Sequence, residues 1–119
     1  MTSKVLINCA VGREDAEQAT VAFIAANAAV ASDRETAMFL TGGAIDLATK
    51  DGADGIEAQG YKPLLAFRKA LMKKGGQLWV CPACAGARGL SADDLIDGAE
   101  IAGVPKILDY VDSGAITLM

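Results

Sequence analysis

The stretch QLWVCPACAGARG places two cysteines, Cys81 and Cys84, three residues apart, directly behind an apolar run and on either side of Pro82. Proline is disfavoured inside a strand or helix but favoured in the first turn of a helix, so Cys81 reads as the N-cap of a helical turn over 82 to about 87. The Cys81 sulfur then faces unpaired backbone N–H groups and the positive end of the helix dipole. Such surroundings lower a thiol pKa from about 8.5 toward neutrality and raise the thiolate fraction. Arg88, one or two turns later, adds positive charge on this reading. Cys84, at the third position of the same turn, is near enough to attack a modified Cys81.

Two chemistries and one non-catalytic role fit these residues, and others do not. A zinc site normally takes four ligands, and this chain has neither a second Cys-x-x-Cys nor any histidine to complete one. No metal and no cofactor is expected. A dithiol oxidoreductase using Cys81 and Cys84 is open, since W-V-C-P-A-C resembles thioredoxin's W-C-x-P-C. The pair follows the third predicted strand, however, and Val104-Pro105, which imitates a cis-proline segment, comes too soon after it for a thioredoxin fold. A persulfide carrier is equally open: displacement at sulfur needs a nucleophile and a good leaving thiol but no general base. Cys-His and Ser-His-Asp hydrolysis are excluded by the absence of histidine. The third possibility is a non-catalytic oligomeric module whose crevice holds a small ligand and whose cysteines only pack.

These residues must be held by a scaffold. Short β-branched and apolar runs alternate with helical periods, the pattern of βα units on a mainly parallel sheet. Strands are expected at 4–9, 35–40, 77–81, 100–102 and 115–118. The fold class is therefore α/β: a Rossmann-like layer sandwich with a five-stranded, mainly parallel sheet and helices on both faces. A first helix, from about 14 to 32, opens with Glu14, Asp15 and Glu17, where the dipole favours negative charge. Its alanine-rich body can approach its own sheet and a second surface, either a neighbouring subunit or another part of the chain. A second helix is expected over 44–50, followed by a solvated, flexible loop, DGADGIEAQG. A third begins at Pro63 and ends at Lys73-Lys74-Gly75-Gly76, with Leu64, Leu65, Phe67, Leu71 and Met72 as its buried face. Ser91-x-x-Asp94 is a variant capping box for a short helix from Ala92, with Leu90 and Leu95 placed as a staple. The last helix starts at Val104-Pro105 and runs to about Asp112.

In open α/β sheets ligands bind beyond the carboxyl ends of the strands. Cys9, Thr41-Gly42-Gly43, Cys81 and Gly103 all fall there. Cys9 reads as a small buried hydrophobe. Gly12-Arg13 and Thr41-Gly42-Gly43 offer backbone N–H groups to an anion, but neither matches a P-loop or G-x-G-x-x-G pattern, and both read more simply as strand-to-helix turns. The pocket around Cys81 and Cys84 is thus expected to draw on Cys9, Gly12, Thr41, Gly42, Gly43, Pro82 and Arg88. Asp51 and Asp54 depart from calcium-loop spacing and belong to a loop that can cover the crevice.

Composition limits the partners. The chain has 119 residues, 52% of them apolar and 22% charged, which suits one packed domain, 1–119. Aromatic residues contribute only 5%, so Ala, Val, Leu and Ile must build the core. Eleven Lys and Arg against fifteen Asp and Glu give a formal charge of −4, a field that does not attract a phosphate backbone; no nucleic acid partner is expected. MTSKVLINCA has no h-region or cleavage site, and the longest uncharged stretch, Gln18 to Ser32, is too short and too polar for a bilayer. A cytoplasmic chain with no membrane partner is expected, and three cysteines in a reducing compartment leave at least one free thiol.

Several segments resemble the DsrE/DsrF-like family, which includes the TusD subunit of the sulfur relay for tRNA thiolation: KVLINCAVGREDAEQATVAFIAA, MFLTGGAIDLA with the loop after it, KPLLAFRKALMKKGGQLWVCPACAGARGL and DDLIDGAEIAG. Together they cover nearly the whole chain. The most specific element is a strand-end cysteine eight residues before the glycine of an Arg-Gly pair, here Cys81 before Arg88-Gly89. The resemblance implies a Rossmann-like layer sandwich and an assembly of like or related subunits as a trimer or hexamer. It also implies Cys81 as the acceptor of sulfane sulfur, with donor and acceptor proteins as partners. The added Cys84 is similar to the pattern of family members described as peroxiredoxin-like, and it gives the chain a thiol able to discharge Cys81 or protect it as a disulfide.

Overall fold

A computed structural model describes residues 3–119. Five strands, β1 (Lys4–Cys9), β2 (Glu35–Leu40), β3 (Gln77–Val80), β4 (Ala99–Ile101) and β5 (Ala115–Leu118), form one sheet in the order β4-β3-β2-β1-β5. Every pairing is parallel. Four α-helices, α1 (Ala16–Ala31), α2 (Leu64–Lys73), α3 (Pro82–Arg88) and α4 (Val104–Asp112), make the crossovers. The chain moves outward from β1 to β4 and then returns to place β5 beside β1. With right-handed crossovers, that reversal puts α4 on the face opposite α1, α2 and α3.

Side-chain alternation along the strands agrees. Val5, Ile7, Cys9, Met38, Leu40, Leu78 and Val80 pack under α1 and α2 in the main core. Leu6, Ala37 and Trp79 point the other way and meet Ile107 and Tyr110 of α4. There the Trp79 and Tyr110 rings stand edge to face with centroids 4.9 Å apart, and the Lys106 ammonium lies 5.0 Å from the Trp79 ring centre. Trp79, Phe39 and Tyr110 fill the thinly covered face, Phe23 and Phe67 lie in the main core, and small residues let α1 lie close to the sheet.

The second surface met by α1 is α2 of the same chain. Asn27, in the middle of α1, donates from Nδ2 to the Phe67 carbonyl at 3.0 Å. Exposed apolar side chains lie elsewhere, on α4 (Val104, Leu108, Val111) and β5 (Ile116, Leu118). No helix among the described residues is long and apolar enough to cross a membrane.

The strands fall where the hydrophobic runs put them, but several helical expectations are corrected. Residues 42–48 form a 3-10 helix, Gly42–Ala48, and Ala92–Asp94 is a single 3-10 turn, in which the Ser91 N–H does bond Asp94 Oδ2 at 2.8 Å. Both are closed by i→i+3 bonds, Ala44 N–H to the Thr41 carbonyl and Asp94 N–H to the Ser91 carbonyl, each at 3.0 Å. Pro63 is the N-cap of α2, not its first helical residue, because its ψ of 140° is extended. The segment after residue 50 is a loop but not a free one: Ala53 and Ile56 are buried, and Leu64 N–H bonds the Ile56 carbonyl at 2.9 Å. Arg68, counted on no buried face by its residue type, is 6% exposed. Its guanidinium donates to the carbonyls of Leu47 (2.9 Å), Thr49 (2.7 Å) and Lys50 (3.3 Å), anchoring the start of that loop. Burial lowers its pKa, and the carboxylates of Asp54 and Asp51 oppose the shift.

Candidate functional site at the carboxyl edge of the sheet

Cys9, Leu40, Val80 and Ile101 stand in register across the sheet, so the four strands end together. Cys81 closes the ladder by donating its N–H to the Leu40 carbonyl at 3.0 Å. The next residue, Pro82, has no donor to continue the strand and begins α3, with Cys81 as N-cap and its carbonyl accepting from Ala85 N–H at 2.9 Å. Gly89, at φ 69°, ends the helix in the left-handed conformation that glycine adopts without strain. Sequence alone therefore dictates this turn: a strand, a proline, a few small residues and a glycine.

The Cys81 side chain is part-exposed at the mouth of the turn. No side-chain capping bond is closed in the thiol form. The backbone N–H of Cys84 nevertheless holds its pKa below the usual thiol range; burial opposes this, and the Cys84 thiol and Ala83 N–H assist. Arg88 sits exposed in the last turn of α3, at the far end of the helix from Cys81. The donors that lower this thiol belong to its own turn.

Cys84 faces inward against the core, and its sulfur accepts the Gly42 N–H at 3.2 Å. Gly42 adopts φ +54°, a backbone that side-chain-bearing residues rarely take. The Thr41-Gly42-Gly43 turn is thus tied to the cysteine turn through Cys84. Thr41 contributes through its main chain, with N–H to the Cys9 carbonyl and its own carbonyl to Ala44 N–H, both at 3.0 Å. Pro82 packs beside the β4–α4 connection, where a Cβ at Gly103 would lie 3.5 Å from Pro82 Cγ.

The glycines considered for an anion are occupied by the chain itself. Gly12 N–H donates to Glu14 Oε1 at 3.0 Å, and a Cβ on Gly43 would meet Glu14 Oε2 at 2.5 Å. A Cβ on Gly12 would lie 2.3 Å from the Gly43 carbonyl oxygen. Glu14 therefore fills the space between the two turns, a role its sequence position at a helix start does not reveal, because the contact to Gly43 is long-range. Arg13 donates to the Asp54 carbonyl at 2.7 Å and holds the DGADG loop near this edge.

Cys9 has different surroundings. It is 4% exposed, and its thiol donates to the Val11 carbonyl at 3.2 Å. Burial raises its pKa, the Val11 bond partly counters this, and the Glu14 charge raises it further. It borders a cavity of about 180 Å³ with Gln18, Ala22 and Met119. Strand β2 stands between Cys9 and Cys81, so their backbones are about 10 Å apart, beyond disulfide reach. A larger cavity of about 370 Å³, with Trp79, Lys106 and Tyr110 in its wall, also includes Glu35 and Gln77 at the amino ends of β2 and β3. Cys81 and Cys84 line neither. Among the described residues no group of His, Cys, Asp and Glu could hold a metal ion.

The sequence profile of the DsrE/DsrF-like family matches residues 3–118. The uncharacterized protein MJ0760 of Methanocaldococcus jannaschii is 30% identical over 100 residues, covering 84% of this chain but 36% of its own length. The chain thus spans about a third of that curated relative. Among solved structures, the ychN protein from E. coli superimposes with a TM-score of 0.78 at 20% identity, covering 98% of this chain and all of its own. MTH1491 from Methanobacterium thermoautotrophicum, a protein of unknown function, gives 0.75 at 14% identity, with 98% and 97% covered. At those identities the likeness is one of fold, while the profile spans almost every residue: the chain belongs to the DsrE/DsrF-like family.

Proposed function

We propose that this protein carries sulfane sulfur as a persulfide on Cys81. The observation that carries the reading is the placement of Cys81: a part-exposed thiol at a strand end, with backbone N–H groups that favour its thiolate. Family membership, in a group often associated with sulfur relay, supports it. The Cys81 thiolate attacks the outer sulfur of a donor persulfide; the S–S bond of the donor breaks, and the donor thiolate leaves. An acceptor thiolate then takes the same sulfur, and Cys81 leaves as a thiolate. Neither step needs a general base, in keeping with a chain that has no histidine.

The donor and acceptor are proteins in this reading, since Cys81 lies on an open edge and lines neither cavity described above. The chain acts in the cytoplasm as a homo-oligomer, a trimer or hexamer, that covers the apolar side chains of α4 and β5, and it belongs with the Cys-x-x-Cys, peroxiredoxin-like members of its family. Incubating the reduced protein with glutathione persulfide and mapping adducts by mass spectrometry tests the central step. The Cys81 peptide gains about 32 Da, the mass of one sulfur. A folded protein whose Cys81 stays unmodified would overturn the proposal.

A second reading, a dithiol redox protein using Cys81 and Cys84, is favoured by the placement of two free thiols three residues apart on one turn. It predicts a reversible Cys81–Cys84 disulfide and loss of turnover in either serine variant.

A further inference from the structure

Cys84 joins two segments. Its sulfur accepts the Gly42 N–H at 3.2 Å, and it stands three residues after Cys81 in the turn that Cys81 caps, near enough to help lower the Cys81 pKa. The Gly42 amide thus holds the Cys84 sulfur on the same turn as the Cys81 thiol. The amide comes from the turn after β2, not from α3, so a second segment fixes the Cys84 side chain. Gly42 is itself fixed by its left-handed backbone and by Gly43 wedged against Glu14. A cysteine that merely filled the core would need neither the amide nor the neighbouring thiol.

We propose that Cys84 discharges the Cys81 persulfide as hydrosulfide, with the Gly42 N–H as the group that positions the Cys84 sulfur, so that the protein releases sulfide as well as carrying sulfane sulfur. The inference rests on the reading of Cys81 as the sulfur carrier. In the step, the Cys84 sulfur attacks Cys81 Sγ, the inner sulfur of the persulfide. A Cys81–Cys84 bond forms, the bond from Cys81 Sγ to the outer sulfur breaks, and the outer sulfur leaves as HS⁻ with the proton from Cys84. The sulfane sulfur gains two electrons, and the two cysteine sulfurs lose them; no outside oxidant is required. A small dithiol of the thioredoxin type then reopens the disulfide by thiol–disulfide exchange. Closing the disulfide replaces the Cys84 S–H bond with an S–S bond and turns the sulfur that accepts the Gly42 N–H, so this amide reports the state of the pair.

The test uses the reduced full chain loaded with glutathione persulfide, desalted, and followed without reductant for adduct mass and free sulfide. The native protein loses its Cys81 adduct, releases one sulfide per adduct and ends as the Cys81–Cys84 disulfide. In Cys84→Ser the hydroxyl oxygen can still accept the Gly42 N–H but cannot form the disulfide, so the adduct accumulates and sulfide release falls by about tenfold or more. In the 1H–15N spectrum the Gly42 amide resonance moves when the disulfide closes, while that of Gly12, bonded to Glu14, stays in place. A native adduct that persists without sulfide release would overturn this inference and leave the carrier reading standing, as would equal release from Cys84→Ser. An unmoved Gly42 resonance would remove the positioning role. Absence of both adduct and sulfide would remove the carrier reading and this inference together.

Discussion

Cys9 and Cys81 end parallel strands at the same edge of one sheet, yet their thiols are pushed in opposite directions. At Cys9 the chain continues as Ala10-Val11, the side chain stays in the core, and its thiol donates a hydrogen bond to the Val11 carbonyl while burial and the Glu14 charge raise its pKa. At Cys81 the chain meets Pro82 and turns into a helix, so the sulfur faces N–H groups. Strand-end location alone therefore does not activate a thiol. The path of the backbone after the cysteine decides whether donors or acceptors surround the sulfur.

Removing the thiols one at a time gives the largest contrast. Cys81→Ser should lose all persulfide loading, while Cys9→Ser should load as the native protein does, read by the mass of each labelled peptide. Loading that depended on Cys9 would break the comparison.

Next in size is the packing that separates the two environments. Gly12→Ala places a methyl 2.3 Å from the Gly43 carbonyl oxygen and must shift the turn, at a cost of about 1–3 kcal/mol. Urea denaturation would show it as a lower midpoint with an unchanged slope.

The two thiols also imprint opposite pH dependences on stability. The folded pKa of Cys9 is raised, so its contribution is present below the unfolded thiol range and is lost as pH rises through the folded value. That of Cys81 is lowered, so its contribution is present above the unfolded range and is lost as pH falls through its folded value. Cys9→Ala should flatten the alkaline loss of stability in denaturation series run above neutral pH, whereas Cys81→Ala should not.

Smaller still is the effect of Cys84→Ala on the Cys81 thiol. It removes the side-chain donor but keeps the residue's backbone N–H, the larger influence, so the alkylation profile of Cys81 should move toward higher pH without reaching that of a denatured thiol. Arg88→Ala should leave the profile where it is.

Much of this contrast was legible in the sequence. Pro82 and Gly89 delimit α3 by covalent constraint, and the hydrophobic runs set all five strands, so Cys81 could be placed as an N-cap from local rules. What stayed hidden depends on contacts between segments distant in sequence. Glu14 announces itself as a helix-start acid, but its place between Gly12 and Gly43 requires β1 and β2 to be adjacent. Arg68 looks like a solvated charge until the loop carbonyls of Leu47, Thr49 and Lys50 converge on it. The Gly42–Cys84 bond joins residues 42 positions apart. Residue types also overstated Arg88, since its distance from the thiol along the helix is a matter of geometry.

The central claim is that the fold makes Cys81, and not Cys9, a reactive thiolate. It is tested most directly by the pH dependence of iodoacetamide labelling on the reduced native protein, resolved by peptide. Cys81 should label rapidly well below about pH 8.5, where an ordinary thiol is largely protonated, and Cys9 should label only after denaturation. A Cys81 that labels no faster than it does in the denatured chain would contradict the account.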